Sequence, residues 1–159
     1  MKRALMVMLT LWLAACASGP DFPTQDVNLT LHPQQATAPA MAGQRVLWGG
    51  LIIATHNLQD HTRLEVLAYP LDSRQRPDTS AQPQGRFLAE RGGYLEPVDY
   101  ASGRLVTLTG TVQKARAGKI QDSDYTYPVI AVTAIHLWPA GEGQGTDTQV
   151  HFGLGVIFH

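Results

Sequence analysis

Cysteine is nearly missing from this chain: Cys16 is its only one, so no disulfide can form within it. No stretch of about 20 apolar residues occurs, which excludes a membrane-spanning helix. Charge is scarce and balanced, with 12 basic and 13 acidic residues. There is no basic stripe to neutralise a phosphate backbone, so nucleic acid is not an expected partner. No glycine-rich phosphate cradle, zinc-ligand spacing or internal repeat is present. Carboxylates are sparse, and no pair suggests glycoside chemistry. No cofactor is expected other than a covalent lipid, for the following reason.

Lys2 and Arg3 open the chain, and the predominantly apolar run Ala4 to Leu13 follows. At 1.5 Å per helical residue that run is too short to cross a bilayer, and the layout is that of a secretory signal. It ends in Leu13-Ala14-Ala15-Cys16, which resembles the bacterial lipobox. Small residues before the cleavage point fit the signal peptidase, and the Cys16 thiol is the nucleophile that takes up diacylglycerol. Residues 1–15 are expected to be removed, which leaves Cys16 lipidated and a net charge of about −3. Two or three acyl chains hold a protein to a membrane far more durably than one. Ala17 stands at the sorting position, where lipoproteins retained in the inner membrane typically carry Asp, and so favours the outer membrane.

Residues 16–43 hold Pro20, Pro23, Pro33 and Pro39 with little apolar periodicity, and predict a flexible tether reaching roughly 30 Å. The alternative is that Val27 to Leu31 packs as an edge strand. The domain proper is expected over 44–139. Arg45 to Thr55 reads as a strand with a bulge at Gly49-Gly50. Thr62 to Leu71 alternates, Asp72 to Gly85 is a polar loop, and Arg86 to Arg91 is a short strand. Leu95 to Ser102 suggests one helical turn with Pro97 at its start. Arg104 to Lys114 alternates again, Ala115 to Lys119 suggests a glycine turn, and Pro128 to Trp138 reads as a central strand covered on both faces. Five strands with a helical piece between the third and fourth predict an all-β, OB-like five-stranded antiparallel barrel, with a generic antiparallel sandwich as the alternative. Residues 140–159 form a glycine-rich tail. Its apolar end, Gln149 to His159, could be an extra edge strand, a membrane-touching segment or a partner-docking strand, and is expected to be docked.

Several ordered blocks carry a family resemblance. They are Trp48-Gly49-Gly50, Glu65 to Asp72, Pro77-Asp78, Gly85 to Ala89, Gly93 to Tyr100, Arg104 to Gly110 and His136-Leu137-Trp138. Together with the lipobox they resemble the Slp family, starvation-inducible outer-membrane lipoproteins of Gram-negative bacteria. The resemblance implies an outer-membrane lipoprotein linked to stationary-phase or stress physiology, and it implies no catalytic mechanism; with the lipobox, a domain lipid-anchored to the outer membrane and facing the periplasm is expected.

Chemistry-bearing residues are few. His56, Asp60 and His61 sit at a predicted turn and read as solvated residues rather than a metal site. His136, in an apolar strand, reads as a packing histidine. Ser73, His61 and Asp72 supply the residue types of a hydrolytic triad without a nucleophile elbow around Ser73. No catalytic and no metal-binding residue is therefore expected. The long loop after the second strand carries Arg74 and Arg76. With Trp48 and Arg86 these are the candidate contacts for a peptide, a glycan or an envelope protein. Two readings follow: a non-enzymatic envelope protein of the outer membrane, or a periplasm-facing binding module.

Overall fold

The computed structural model describes residues 19–141. Leu13, Ala14, Ala15, Cys16, Ala17 and the apolar segment Gln149 to His159 lie outside the described residues. Five strands make up the domain: β1 Arg45–Asn57, β2 His61–Tyr69, β3 Arg86–Gly92, β4 Leu105–Ile120 and β5 Ser123–Leu137. They close into a barrel in the order β1-β2-β3-β5-β4. Four ladders are antiparallel, and the short β3–β5 ladder, Leu88 to Glu90 against Val129 to Ala131, is parallel. This is the Greek-key closure of an OB-like barrel, in which every strand gains two neighbours.

Alternation decides which side chains fill the interior. Leu64, Val66 and Ala68 on β2 face inward beside Phe87 and Ala89 on β3 and Val106, Leu108 and Val112 on β4. Trp48 and Ile52 complete the centre from β1, where Trp48 meets Phe87 edge to face with ring centroids 5.2 Å apart. Between β3 and β4 both Asp99 N and Tyr100 N donate to Glu96 O, which makes the single helical turn expected there.

Four expectations need correction. The glycine pair in β1 is not a bulge: the register shift falls between Ile52 and Ala54. Gly50 is required instead by close approach, since a Cβ there would lie 2.0 Å from Leu67 O on β2. The predicted turn at Ala115 to Lys119 is strand, because β4 continues to Ile120 and reverses only at Gln121-Asp122, where Gln121 takes φ 55°. β5 is not covered on both faces: only Tyr127 to Ile130 are buried, while Ala131, Thr133 and Ala134 are exposed.

The fourth correction concerns the tether, since residues 19–43 pack on the barrel. Leu31, Pro33 and Ala36 are buried, in and around a short 3-10 helix at Pro33–Thr37. Leu31 O accepts a 2.7 Å hydrogen bond from Trp48 Nε1. Asn28 N donates to Arg45 O, and Asn28 Nδ2 donates to Gln44 Oε1, which pins the segment to the start of β1. Val27 to Leu31 is packed but is not a strand. A few apolar anchors spaced among prolines suffice to hold the segment on the barrel. They lack the period of either regular element, so their burial does not register as a pattern.

Candidate functional site: the strap and the loop after β2

The loop from Pro70 to Gly85 is tightly organised. Asp72 Oδ1 accepts from Arg74 N and Arg76 N at 2.8 and 2.9 Å, and Asp78 Oδ1 accepts from Ser80 N at 3.0 Å. These are Asx-type turns, in which a short side chain satisfies the backbone locally. The Asp78 carboxyl is thereby held below its ordinary pKa, first by the Ser80 hydroxyl and then by the Ser80 amide. Asp72 N→Arg76 O, Asp78 N→Pro70 O and the bridge between Leu71 and Pro77 close the loop on itself.

Against this loop lies a strap, Gly19 to Phe22. Phe22 N donates to Gln75 Oε1 and Gln75 Nε2 donates to Phe22 O, both at 3.0 Å. Gln75, at φ 62°, turns its own carbonyl toward β4, where Thr107 Oγ1 donates to it at 2.6 Å. Trp138 lies beneath the strap: its Nε1 donates to Thr107 Oγ1 at 2.9 Å, and the Arg76 guanidinium sits 5.2 Å from its ring. Gly19 runs so close over the indole that an added Cβ would come within 2.9 Å of it.

A groove of about 430 Å³ opens between the loop and the residues that follow the strap, lined by Leu29, Leu31 and His32 from that segment and by Tyr69, Leu71, Ser73 and Gln75 from the end of β2 and the loop. The edge of Trp48 forms part of its wall. A second groove of about 410 Å³ lies across Tyr69, between Leu51, Arg104 and Leu105 and the segment Pro139 to Gly141.

The four candidate contact residues are divided among different places. Trp48 is 5% exposed and serves the core and the groove wall, not a surface platform. Arg74 is exposed on the loop, and Arg76 is occupied with Trp138. Arg86 lies elsewhere, on the outer face of β3, paired with Glu65 at 2.7 Å. That face is covered by the chain itself. The β4–β5 arm folds over it, so that Tyr125 and Ile120 pack on Leu88, Tyr127 and Val129. Tyr125 OH accepts from Arg86 N, and Tyr127 OH donates to Glu65 Oε1. Burial is the main cause that raises the Tyr127 pKa, and the Glu65 carboxylate adds to it.

Ser73 and Asp72 follow one end of β2 while His61 begins the other, so nine strand residues, roughly 25–30 Å, separate the members of the imagined triad. His61 Nδ1 is instead 2.6 Å from Asp60 Oδ1, whose carboxyl this contact holds below its ordinary pKa. Among the described residues no group of three or more His, Cys, Asp or Glu could hold a metal ion. His136 packs edge to face on Trp138 at 4.7 Å, and burial lowers its pKa.

The strap was the part the sequence reading missed. The one signal of the strap and the residues that follow it is the sparse apolar series Phe22, Val27, Leu29 and Leu31 ahead of Pro33. Gln75, which clamps it, carries no signal at all, because a polar residue in a polar loop is unremarked until its partner is known.

The family model for the Outer membrane lipoprotein Slp family matches residues 13–154. The uncharacterized lipoprotein YeaY of Escherichia coli (strain K12) is 36% identical over 143 residues, covering 86% of this chain and 72% of that protein. Outer membrane protein Slp of the same organism is 34% identical, covering 99% of this chain and 86% of that protein. Among solved structures, the chain is similar to the small single-stranded DNA-binding protein from Streptomyces coelicolor, with TM-score 0.37 and 15% identity over 61% of this chain and 95% of the other. The mitochondrial single-stranded DNA-binding protein Rim1 of S. cerevisiae gives TM-score 0.39 and 14% identity, over 60% of this chain and 94% of that one.

Proposed function

Since the chain belongs to the Outer membrane lipoprotein Slp family, we propose that it is acylated on Cys16 and serves at the periplasmic face of the outer membrane as a non-enzymatic envelope protein under stress. The observation that carries this reading is the family match, which starts inside the lipobox at residue 13 and runs through the whole barrel. Leu13, Ala14 and Ala15 supply the peptidase recognition sequence, Cys16 takes the lipid, and Ala17 permits outer-membrane sorting. This reading calls for no cofactor besides the covalent lipid. The separation of Ser73 and Asp72 from His61 along β2 removes the one hydrolytic triad that the residue types offered.

Fractionation of cells expressing the wild type and Cys16→Ser, with intact mass of each product, tests this. Acyl mass and outer-membrane recovery in the wild type, both lost in the variant, are expected. A soluble, unacylated wild type would overturn the reading.

The groove favours a second reading, in which the barrel is a binding module for a peptide or glycan of the envelope. Its walls combine apolar Leu29, Leu31 and Leu71 with hydrogen-bonding His32, Tyr69, Ser73 and Gln84, the mixture that small-ligand sites use. Amide chemical shifts of the Cys16→Ser protein, recorded with muropeptide fragments and with short extended peptides, test it. Saturable shifts confined to these residues support the module, and shifts absent at millimolar ligand refute it.

A further inference from the structure

The packed strap changes what the anchor does. If Cys16 carries the lipid, as the preceding section proposes, only the steps from Cys16 to Gly19 separate the acylated residue from the folded body. Three extended steps span at most about 11 Å. The polar interface of a bilayer leaflet is itself about 5–8 Å thick. Gly19 is packed so closely that an added Cβ would meet the Trp138 indole and the Arg74 carbonyl, and Phe22, three residues on, is tied to Gln75 by two hydrogen bonds.

We infer that the barrel is not a tethered domain moving freely above the membrane but is seated on it, with the Gly19, Arg74 and Trp138 face against the lipid headgroups of the leaflet that holds the acyl chains. The exposed groups on this face, Asp21, Ser73 and Arg74, are small or polar, which suits contact with headgroups and not insertion into hydrocarbon. The turn at Gln121-Asp122 lies at the far end of β4, sixteen strand residues from the Leu105 carbonyl that holds Trp138 N, and so points away from the bilayer.

The inference rests on acylation of Cys16, and its test separates the two. The full-length acylated protein is reconstituted in phosphatidylethanolamine–phosphatidylglycerol vesicles containing a headgroup-labelled quencher lipid. A fluorophore is placed on Arg74→Cys or on Asp122→Cys; the acylated Cys16 does not react with it. Intact mass first establishes whether Cys16 is acylated. Emission at position 74 is expected to be quenched several-fold more strongly than at 122. Insertion of about 20 Gly/Ser residues between Ser18 and Gly19, with a reach of about 25 Å, should remove most of that difference without touching the fold. Equal quenching at 74 and 122 with acyl mass intact would overturn the seated orientation alone. An unacylated chain would overturn the Cys16 reading and the orientation with it.

Discussion

Replacing Leu31 with Ala tests the strap and the segment behind it as parts of the fold. Were residues 16–43 a tether, Leu31 would be as solvated in the native state as in the unfolded one, and the substitution would cost nothing. In the structure Leu31 is 7% exposed and packs in the same cluster as Trp48, Val46 and Ala36. Truncating a buried leucine costs about 2–5 kcal/mol, from lost transfer energy and the cavity left behind. The site lies at one end of the core beside a groove and can partly relax, so about 3 kcal/mol is the expected value. The hydrogen bond from Trp48 Nε1 to the Leu31 carbonyl uses backbone and survives the change. Urea unfolding of the Cys16→Ser protein, followed by tryptophan fluorescence, is the assay. With a slope of about 2 kcal/mol per molar, the midpoint should fall by about 1.5 M. Leu29→Ala, two residues away and 58% exposed, should move stability by less than about 0.5 kcal/mol. A Leu31→Ala loss as small as that of Leu29→Ala would refute the claim that this segment belongs to the core.

Three further outcomes follow from particular contacts. Gly50→Ala should cost about 3 kcal/mol or more, because its Cβ meets backbone on β2 and not a yielding side chain; amide exchange should show the loss centred on the β1–β2 ladder. Tyr127→Phe removes the hydroxyl bound to Glu65 and Lys119 O and should cost about 1 kcal/mol. Because the folded Tyr127 pKa is raised, the folded state keeps a proton that the unfolded chain loses. Stability should therefore fall as pH rises past the unfolded value of about 10, and the Phe variant should show less of that fall in alkaline urea titrations. His136 has the opposite sense: its folded pKa is lowered, so its contribution is present above about pH 6.5 and declines as pH drops below that value. Imidazole NMR titration should place its midpoint below the ordinary histidine value of about 6.5.

The barrel was legible where residues alternate and where turn residues break the alternation. Leu64-Val66-Ala68 and Val106-Leu108 announce their inner face by spacing alone, and the Pro97 turn is marked by its proline. Features that depend on a distant partner were not legible. Gly49-Gly50 looks like a bulge until Leu67 O is placed against it. The β4–β5 arm looks like a turn because Gly118 and Lys119 sit in it, yet tertiary pairing with Tyr125 and Asp124 carries the ladder through. The strap has the composition of a spacer, and its order comes from Gln75 and Trp138, 53 and more residues further along the chain.

The same distinction bears on where the molecule has capacity to bind. In OB-like barrels the face of β2 and β3 is a common ligand platform, rich in exposed aromatic and basic groups. Here those groups are present but already used. Arg86 is paired with Glu65, and Arg63 and Arg116 both reach Glu90 at 3.0 Å. Tyr125 and Tyr127 stack edge to face at 4.7 Å under their own arm. A strand of nucleic acid would have to displace that arm and break those pairs, and it would meet a chain whose formal net charge is −1. The groove beside the loop after β2 makes neither demand: it is already open, and Tyr69, His32 and Ser73 line it. In the seated orientation Ser73, beside Arg74, lies at the headgroup face, so a ligand bound there would be one found at the membrane surface. An envelope glycan or the extended segment of another lipoprotein meets that condition, and a freely diffusing nucleic acid does not.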